Sequence, residues 1–358
     1  MTTVVTLEVP FTRILDADGT LVAPLPAFAE DPAALIELYR AMVFTRRFDA
    51  KGVALQRTGR VGTFPNTLGQ EAVPVAIGSA MEPEDVFVPT YREQAAQFMR
   101  GVAPEEMLLY YGGDERGSDF AQARHDLPIC VPLATQTLHA AGAATAIKFK
   151  GEHRAVVCVV GDGASSKGDF YEALNVSGVW ELPILFVIIN NQWAISMPRH
   201  KQSAAETLAQ KAFAAGIGGE QVDGNDVIAV RHLVAERLAK ARDGGGPSVI
   251  EAVTYRLSDH NTADDASRYR DPDEVSAHWK EDPVARLKTY LAGIGAWSKD
   301  DEHGLIEDCN SKIDAAVEAY EAIPPQPAEA MFDYLYAELP ADLEAQREAV
   351  IAAAGRNE

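Results

Sequence analysis

Two short polar motifs carry the residues best suited to bind a cation and a phosphate. A Gly-Asp-Gly turn at 161–163 follows the apolar run 155–160, and Asn191 closes an Asn-Asn pair after the apolar run 184–189. Glycines let a backbone turn sharply and approach a ligand closely. The carboxylate of Asp162 and the amide oxygen of Asn191 are hard ligands for a divalent cation. The pattern predicts a cation that bridges a diphosphate, with a following helix offering amide groups to the phosphates.

The elements around these motifs indicate how they come together. A third candidate strand spans 248–254, and the segment 168–180 between the first two runs has helical spacing. Apolar strands separated by helices are typical of a parallel sheet covered on both faces. We therefore predict an α/β fold with a doubly wound, mostly parallel sheet. In such sheets ligands bind at the carboxyl ends of the strands, where both motifs lie.

The rest of the chain divides into three predicted parts. Residues 1–30 are expected to form an irregular arm, residues 31–322 the α/β domain and residues 323–358 a helical tail that makes a subunit contact. Asp31 and Pro32 are typical of a helix start. A capping box marks a late helix at Ser298 and Asp301. An apolar stripe in the tail is compatible with either intramolecular packing or subunit contact: Phe332, Leu335, Tyr336 and Leu339.

The composition excludes several classes of function. Acidic residues outnumber basic ones by 53 to 32, so the net charge is −21. Such a surface repels nucleic acid and anionic lipid. The three widely spaced cysteines favour neither a disulfide framework nor a zinc site. The first residues resemble neither a signal nor a transit peptide, and no apolar run is long enough to span a bilayer, so we expect a cytoplasmic protein.

Other phosphate-binding motifs do not fit the sequence. It contains no GxxxxGK[ST] segment, which excludes a P-loop. Glycines at 161, 163 and 168 miss the GxGxxG spacing of a dinucleotide fold.

Residues 161–196 (GDGASSKGDFYEALNVSGVWELPILFVIINNQWAIS) resemble the thiamine-diphosphate (ThDP) motif of the E1 α subunits of bacterial 2-oxoacid dehydrogenases. These subunits belong to pyruvate and branched-chain 2-oxoacid dehydrogenase complexes. The resemblance covers most of the chain and includes RVGTFPNTLGQEAVPVAIGSA, VPTYREQAAQFMRG, PLATQ, VDGNDVIAV, HNTADDASRYR and DPVARLKTYL.

The resemblance implies a set of ligands on this chain. Asp162 and Asn191 would bind Mg²⁺ by their side chains, and Trp193 by its backbone carbonyl. The implied cofactor-binding residues are Tyr91, Arg92, Leu133, Gly161, Asp162, Gly163, Ala164, Asn191 and His260. Arg92 would place a fixed cation beside the diphosphate of an otherwise acidic protein. A potassium site is implied at Cys130, Pro132, Thr135 and Gln136, although Cys130 and Val131 replace the serines usual there.

His260 is the catalytic residue that the resemblance implies, because its counterpart assists acyl transfer to the lipoyl group. The residues that order its loop correspond to Asp264, Asp265, Arg268 and Tyr269. Asn261 stands where animal relatives carry a phosphorylated serine, so that switch is expected to be absent. Lys167 stands where Gln or Glu is usual, and Ile189 where branched-chain relatives carry Arg.

The implied activity is ThDP-dependent oxidative decarboxylation of a 2-oxoacid, pyruvate first, with reductive acylation of the lipoyl domain of the E2 transacylase. The Glu that activates the cofactor would lie on a β subunit, so we expect an α2β2 assembly and no activity from this chain alone. Phe64 is the local candidate for contact with the acyl group. Branched-chain 2-oxoacids and acetoin remain alternative substrates. A single-chain ThDP enzyme and a non-catalytic phosphate- or nucleotide-binding subunit are more distant alternatives.

Overall fold

The strands of this computed structural model, which describes residues 2–333 and 335–354, form one six-stranded sheet and a small hairpin. Their bounds are β1 Phe11–Thr12, β2 Val86–Val88, β3 Val156–Gly161, β4 Ile184–Asn190, β5 Trp193–Ala194, β6 Met197–Pro198, β7 Gly219–Asp223 and β8 Ser248–Val253. The hairpin consists of β5 and β6.

Helices surround the sheet. Their bounds are α1 Pro32–Arg57, α2 Ala72–Ala80, α3 Gln94–Met99, α4 Pro104–Tyr111, α5 Thr135–Lys150, α6 Gly168–Val179, α7 Arg199–Gln202, α8 Val227–Arg242, α9 Pro272–His278, α10 Pro283–Gly293, α11 Lys299–Glu321, α12 Ala330–Asp333 and α13 Ala341–Ala354. Short 3-10 helices connect several of them, including Ala209–Ala215. None of the described helices is both long and apolar enough to cross a membrane.

The sheet is parallel throughout its described strands and has the order β1-β7-β8-β4-β3-β2. The neighbours β3 and β4 are in register, with Gly161 opposite Ile189. The turn after β3 and the Asn pair after β4 therefore leave the sheet side by side. We call this the carboxyl end of the sheet, and the opposite end the amino end.

Alternate residues of the central strands face two different cores. Val157 and Val159 of β3 join the cluster shared with α1, α2 and α8. Cys158 and Val160 join the cluster shared with α5 and α6. Because both faces are covered by helices, the strands need no polar face, which explains their unbroken apolar runs. The predicted doubly wound α/β fold is confirmed.

The predicted helix starts are also confirmed. The Asp31 side chain accepts a hydrogen bond from the Ala33 amide at 2.9 Å, and Pro32 is the first residue of α1. Ser298 and Asp301 form the reciprocal capping box of α11. These side chains satisfy amide groups that have no partner inside the helix.

The N-terminal arm differs from the irregular segment expected at 1–30. Phe11–Thr12 pairs in parallel with β7 as an edge strand of the sheet. The buried residues after it are anchored, since the amides of Ile14 and Leu15 both donate to Asp226 Oδ2 at 2.7 Å. Two residues are too few for an alternating pattern to be recognised in a sequence.

The tail forms α12 and α13, but its apolar stripe is not one helical face. Phe332 is buried at the end of α12, whereas Leu335 and Tyr336 lie beyond that helix and are exposed. Helix α13 has no buried residue in the described chain. Intramolecular packing therefore accounts for Phe332 and leaves most of the stripe unexplained.

Candidate functional site

A cavity of about 950 Å³ opens at the carboxyl end of the sheet. Its lining residues lie within 63–70, 90–93, 110–118, 130–136, 161–164, 189–195 and 260–261. Segments far apart in sequence therefore meet at the ends of β2, β3 and β4. Cavities of this size accommodate cofactors and other small molecules.

The turn after β3 brings Asp162 into this cavity as a buried carboxyl group. Burial raises its pKa, while a hydrogen bond from Gln202 Nε2 to Oδ2 at 3.1 Å acts in the opposite direction. The Gln202 amide is its only side-chain partner within the described residues. Gly163 continues the turn, and a Cβ added there would lie 2.6 Å from the Cβ of Ala194. Only glycine fits without a shift of the β5–β6 hairpin.

Asn191 reaches the same cavity from the end of β4. Its Nδ2 donates to Gln70 Oε1 at 2.8 Å, and its Oδ1 accepts from the Trp193 amide at 3.1 Å. The Trp193 carbonyl accepts from Arg256 Nη1 at 3.3 Å. A carbonyl oxygen has two lone pairs, so this bond leaves room for a cation.

The backbone around the cavity is strained at several non-glycine residues. Ala134, Gln192 and Ile195 all have positive φ, at 63°, 72° and 54°. This conformation is uncommon for any residue with a side chain, and for β-branched isoleucine it is a genuine outlier. Such strain clusters where the surrounding structure serves a ligand. The conformation at Gln192 turns the chain between two of the predicted metal ligands.

Arg92 and His260 meet at the cavity wall. Arg92 is nearly buried, and its Nη2 lies 2.9 Å from the His260 carbonyl oxygen and 3.2 Å from His260 Nδ1. Its Nη1 donates to the Asn66 carbonyl. The guanidinium is thus held in place before any ligand binds.

The protonation of His260 follows from these neighbours. Burial, together with the positive charges of Arg92 and Arg256, lowers its pKa to about 4. The ring is therefore neutral at pH 7. Because the N–H groups of Arg92 point to Nδ1, that nitrogen is the acceptor and the ring proton lies on Nε2.

The loop after His260 is held by a network around Asp264. Asp264 Oδ2 accepts from the His260 amide at 2.9 Å and from the Tyr269 hydroxyl. Arg256 Nη2 donates to that hydroxyl at 2.9 Å. Asp265 caps the following 3-10 turn, whereas Arg268 is exposed.

The remaining predicted cofactor residues lie around the same cavity. Tyr91, Leu133, Gly161 and Ala164 all line it. The Tyr91 carbonyl accepts from the Tyr111 hydroxyl at 2.9 Å, and Leu133 is about half exposed. The structure thus brings the whole predicted cofactor set together, whereas ligand binding by these residues stays a prediction.

The residues of the predicted potassium site are only partly assembled. Cys130 and Gln136 line the cavity, whereas Pro132 and Thr135 are not among its lining residues. Cys130 Sγ donates to the Pro132 carbonyl at 3.4 Å. Gln136 is buried, its Nε2 donates to the Val159 carbonyl at 2.8 Å, and its Oε1 has no partner in the described structure.

Phe64 lies in the core of this chain and does not line the cavity. Its side chain is fully buried and packs against Phe48 and Tyr111, with ring centroids 6.1 and 4.6 Å away. Its neighbours Thr63 and Pro65 line the cavity instead. The structure therefore supports a packing role for Phe64, and its predicted contact with the acyl group stays a prediction.

Sequence reasoning missed several residues that hold the site: Gln70, Gln202, Arg256 and Arg270. Arg256 is fully buried and joins the β5–β6 hairpin to the His260 loop through Ile195 and Tyr269. Arg270 donates to the carbonyls of Arg256 and Ser258. The only available signal was a charged residue, Arg256, two positions after the candidate strand 248–254.

Comparison with known proteins identifies the family. The fold and site define a parallel α/β protein with a cavity at the carboxyl ends of its strands. Residues 39–329 match the family model described as "Dehydrogenase E1 component". "Pyruvate dehydrogenase E1 component subunit alpha" of Staphylococcus epidermidis is 39% identical over 94% of this chain and 91% of that protein. The protein of that name from Staphylococcus aureus (strain Mu50) is 38% identical over the same shares. The chain belongs to the dehydrogenase E1 component family, and the predicted E1 α subunit of a 2-oxoacid dehydrogenase is confirmed.

Proposed function

We propose that this chain is the α subunit of a ThDP-dependent pyruvate dehydrogenase E1. Its carboxyl-end cavity would hold the cofactor diphosphate through Mg²⁺. The observation that carries the proposal is the convergence of Asp162, Asn191 and Trp193 on one cavity. The relatives named as pyruvate dehydrogenase subunits support pyruvate over the alternative substrates.

The donor set fits a hard divalent cation. Asp162 is a buried carboxyl group without a salt bridge in the described chain, and burying such an anion unpaired is costly. A bound cation would remove that cost. The described residues contain no group of three or more His, Cys, Asp and Glu side chains that could hold a metal. The site therefore depends on amide and carbonyl oxygens, which suits Mg²⁺ better than zinc.

The residues around the turn fit a diphosphate. Gly163 and Ala164 would approach it with their backbone, and Arg92 would face it with a guanidinium already fixed by Asn66 and His260. Fixed donors need no reorganisation when an anion arrives. Once bound, ThDP supplies the electron sink that decarboxylation of a 2-oxoacid needs.

His260 would act as a neutral hydrogen-bond donor. It lines the cavity with its ring proton on Nε2, since Nδ1 faces Arg92. In this state it can donate to the lipoyl group of an E2 transacylase during acyl transfer. Asp264 would keep the imidazole in place through its bond to the His260 amide.

A potassium ion is a further part of the proposal. The buried Oε1 of Gln136 supports it. This oxygen has no hydrogen-bond partner in the described chain, and a bound cation would supply one. The Pro132 carbonyl, which already accepts from Cys130, adds no support.

A β subunit would complete the site and supply the group that activates the cofactor. Leu335 and Tyr336 expose large apolar side chains in the tail. We therefore extend the proposal to a tail at 323–358 that contacts a neighbouring subunit of an α2β2 assembly.

Co-expression with the cognate β chain tests the proposal. The purified assembly is assayed with pyruvate, branched-chain 2-oxoacids and acetoin, with a lipoyl domain as acceptor. We expect turnover of pyruvate by the assembly and none by this chain alone. Turnover by the isolated chain, or preference for another substrate, would contradict the proposal. An assembly that binds a nucleotide instead of ThDP would support the non-catalytic alternative.

A further inference from the structure

We propose that Lys211 is a positioning residue for the turn that carries Asp162, and that its ammonium group adds positive charge beneath that turn. The claim that Lys211 acts on the diphosphate rests on the proposed function. The claim that Lys211 holds the shape of the turn depends on this chain alone.

The contacts of Lys211 are concentrated on one short segment. Its Nζ donates to the Ser165 carbonyl at 2.7 Å and to Ser165 Oγ at 2.9 Å, and lies 3.5 Å from Ser166 Oγ. Ser165 Oγ in turn donates to the Asp162 carbonyl at 2.6 Å. A continuous chain of hydrogen bonds therefore leads from the ammonium group to the backbone of the predicted metal ligand.

The environment of Lys211 is unusual for a lysine. Its exposed fraction is 6%, and no carboxylate of the described chain lies within salt-bridge distance of it. Its Nζ lies 5.4 Å from the ring centroid of Tyr171. Burying an unpaired charge costs free energy, so a solvent-exposed lysine would be the more stable arrangement in an ordinary turn. An anion bound to the turn would supply the missing negative charge.

The two sides of the turn carry groups of opposite charge, Lys211 and Asp162. Burial lowers the pKa of Lys211 to about 8, so the amine is mostly protonated at pH 7. Asp162, on the cavity side of the same turn, is a buried carboxyl group that forms no salt bridge within the described residues. With Mg²⁺ on Asp162, Lys211 would remain as an additional positive charge close to the diphosphate.

The chain offers a control in Lys240, which has the same kinds of hydrogen-bond partners as Lys211. Its Nζ donates to the Pro247 carbonyl at 2.9 Å and to Ser248 Oγ at 3.0 Å. Burial also lowers its pKa. The hydrogen bonds resemble those of Lys211, but Lys240 is exposed and bonds at the amino end of β8, away from the cavity.

Hydrogen exchange tests the shape of the turn without any cofactor. In the co-expressed assembly we expect Lys211→Met to accelerate amide exchange at residues 165–167 by about tenfold, because hydrogen bonds to charged groups are stronger than those between neutral groups. Lys240→Met should leave these residues unchanged and accelerate exchange near Ser248. Equal exchange at 165–167 in Lys211→Met and wild type would overturn the proposal. If Lys211→Met does not fold, Lys211→Gln serves the same measurement.

Calorimetric titration with ThDP in the presence of Mg²⁺ tests the electrostatic part. We expect Lys211→Met to bind about tenfold more weakly than wild type, since each 1.4 kcal/mol is a factor of ten. Lys240→Met should bind within about twofold of wild type. Binding by Lys211→Met within that range would overturn the electrostatic part. If wild type binds no ThDP, the proposed function fails, while hydrogen exchange still decides the role of Lys211.

Discussion

Each end of the sheet contains a buried aspartate, and the two aspartates differ in their hydrogen-bond and ion-pair partners. Asp85, at the amino end before β2, accepts from the amides of Glu82 and Ala155 and forms a salt bridge with Arg242. Asp162, at the carboxyl end after β3, has only the Gln202 amide as a side-chain partner in the described chain. The amino end is complete as folded, whereas the carboxyl end requires a ligand.

Some other polar groups at the carboxyl end also lack partners. Four of the twelve buried side-chain atoms without a partner in the described structure belong to residues in or beside the cavity: Gln70 Nε2, Gln136 Oε1, Trp193 Nε1 and Gln202 Oε1. Buried polar groups are almost always hydrogen-bonded, so such a cluster needs an explanation. Cofactor and cation binding would explain it. The strained residues Ala134, Gln192 and Ile195 lie at the same end.

The largest effect is expected from Asp162→Asn. Loss of the carboxylate should weaken ThDP binding by more than about 100-fold, because even an outer partner of a metal ligand contributes about 10- to 100-fold. Calorimetric titration of the assembly measures the affinity. Asp169→Asn, just beyond the turn, is the control and should bind normally. Unchanged ThDP binding by Asp162→Asn would show that Asp162 is not a metal ligand.

Asp85→Asn should act on stability and leave binding unchanged. Breaking a buried pair costs about 3 kcal/mol or more. At about 2 °C per kcal/mol for a chain of this size, the unfolding midpoint should fall by about 6 °C. Thermal denaturation and ThDP titration of the same preparation measure both quantities. A loss of affinity without a loss of stability would show that the amino end is not purely structural.

Gly163→Ala should lower both the stability of the protein and its affinity for ThDP, since the added Cβ would lie 2.6 Å from the Cβ of Ala194. Overpacking of this kind costs about 1–3 kcal/mol. Gly161→Ala is the control, because a Cβ there meets no protein atom within 4 Å. Thermal denaturation should separate the two variants. Equal stability of both would mean that the hairpin moves at no cost.

The smallest effect concerns the titration of His260. Its folded pKa of about 4 lies below the unfolded value of about 6.5, so the unfolded chain binds the additional proton. The contribution to stability is present above pH ~6.5 and is lost as the pH falls towards 4. Nitrogen NMR should show a neutral ring with its proton on Nε2 from about pH 5 to 8. A signal that titrates near pH 6.5 and is absent in His260→Gln would contradict this assignment.

The features that the sequence predicted are local ones. Asp162 and Asn191 directly follow long apolar strands, so their position at strand ends could be inferred from neighbouring residues. Strands β1 and β7 were missed because β1 has two residues and β7 includes the polar Glu220 and Gln221. Short or polar strands give no periodic signal.

The supporting contacts were missed because they join distant parts of the chain. Gln70 meets Asn191, and Gln202 meets Asp162, only after the helices have packed on the sheet. Nothing in the sequence around Gln202 distinguishes it from a surface glutamine. The packing of Phe64 in the core was missed for the same reason. Its position between Phe48 and Tyr111 depends on packing contacts that its neighbours in sequence do not reveal.

The central claim is that Asp162, Asn191 and the Trp193 carbonyl hold Mg²⁺ and that this ion holds the cofactor diphosphate. The most direct test is titration of ThDP into the metal-free assembly, with and without added Mg²⁺. We predict tight binding with Mg²⁺ and at least about 100-fold weaker binding without it. Equally tight binding in the absence of any divalent cation would contradict the claim.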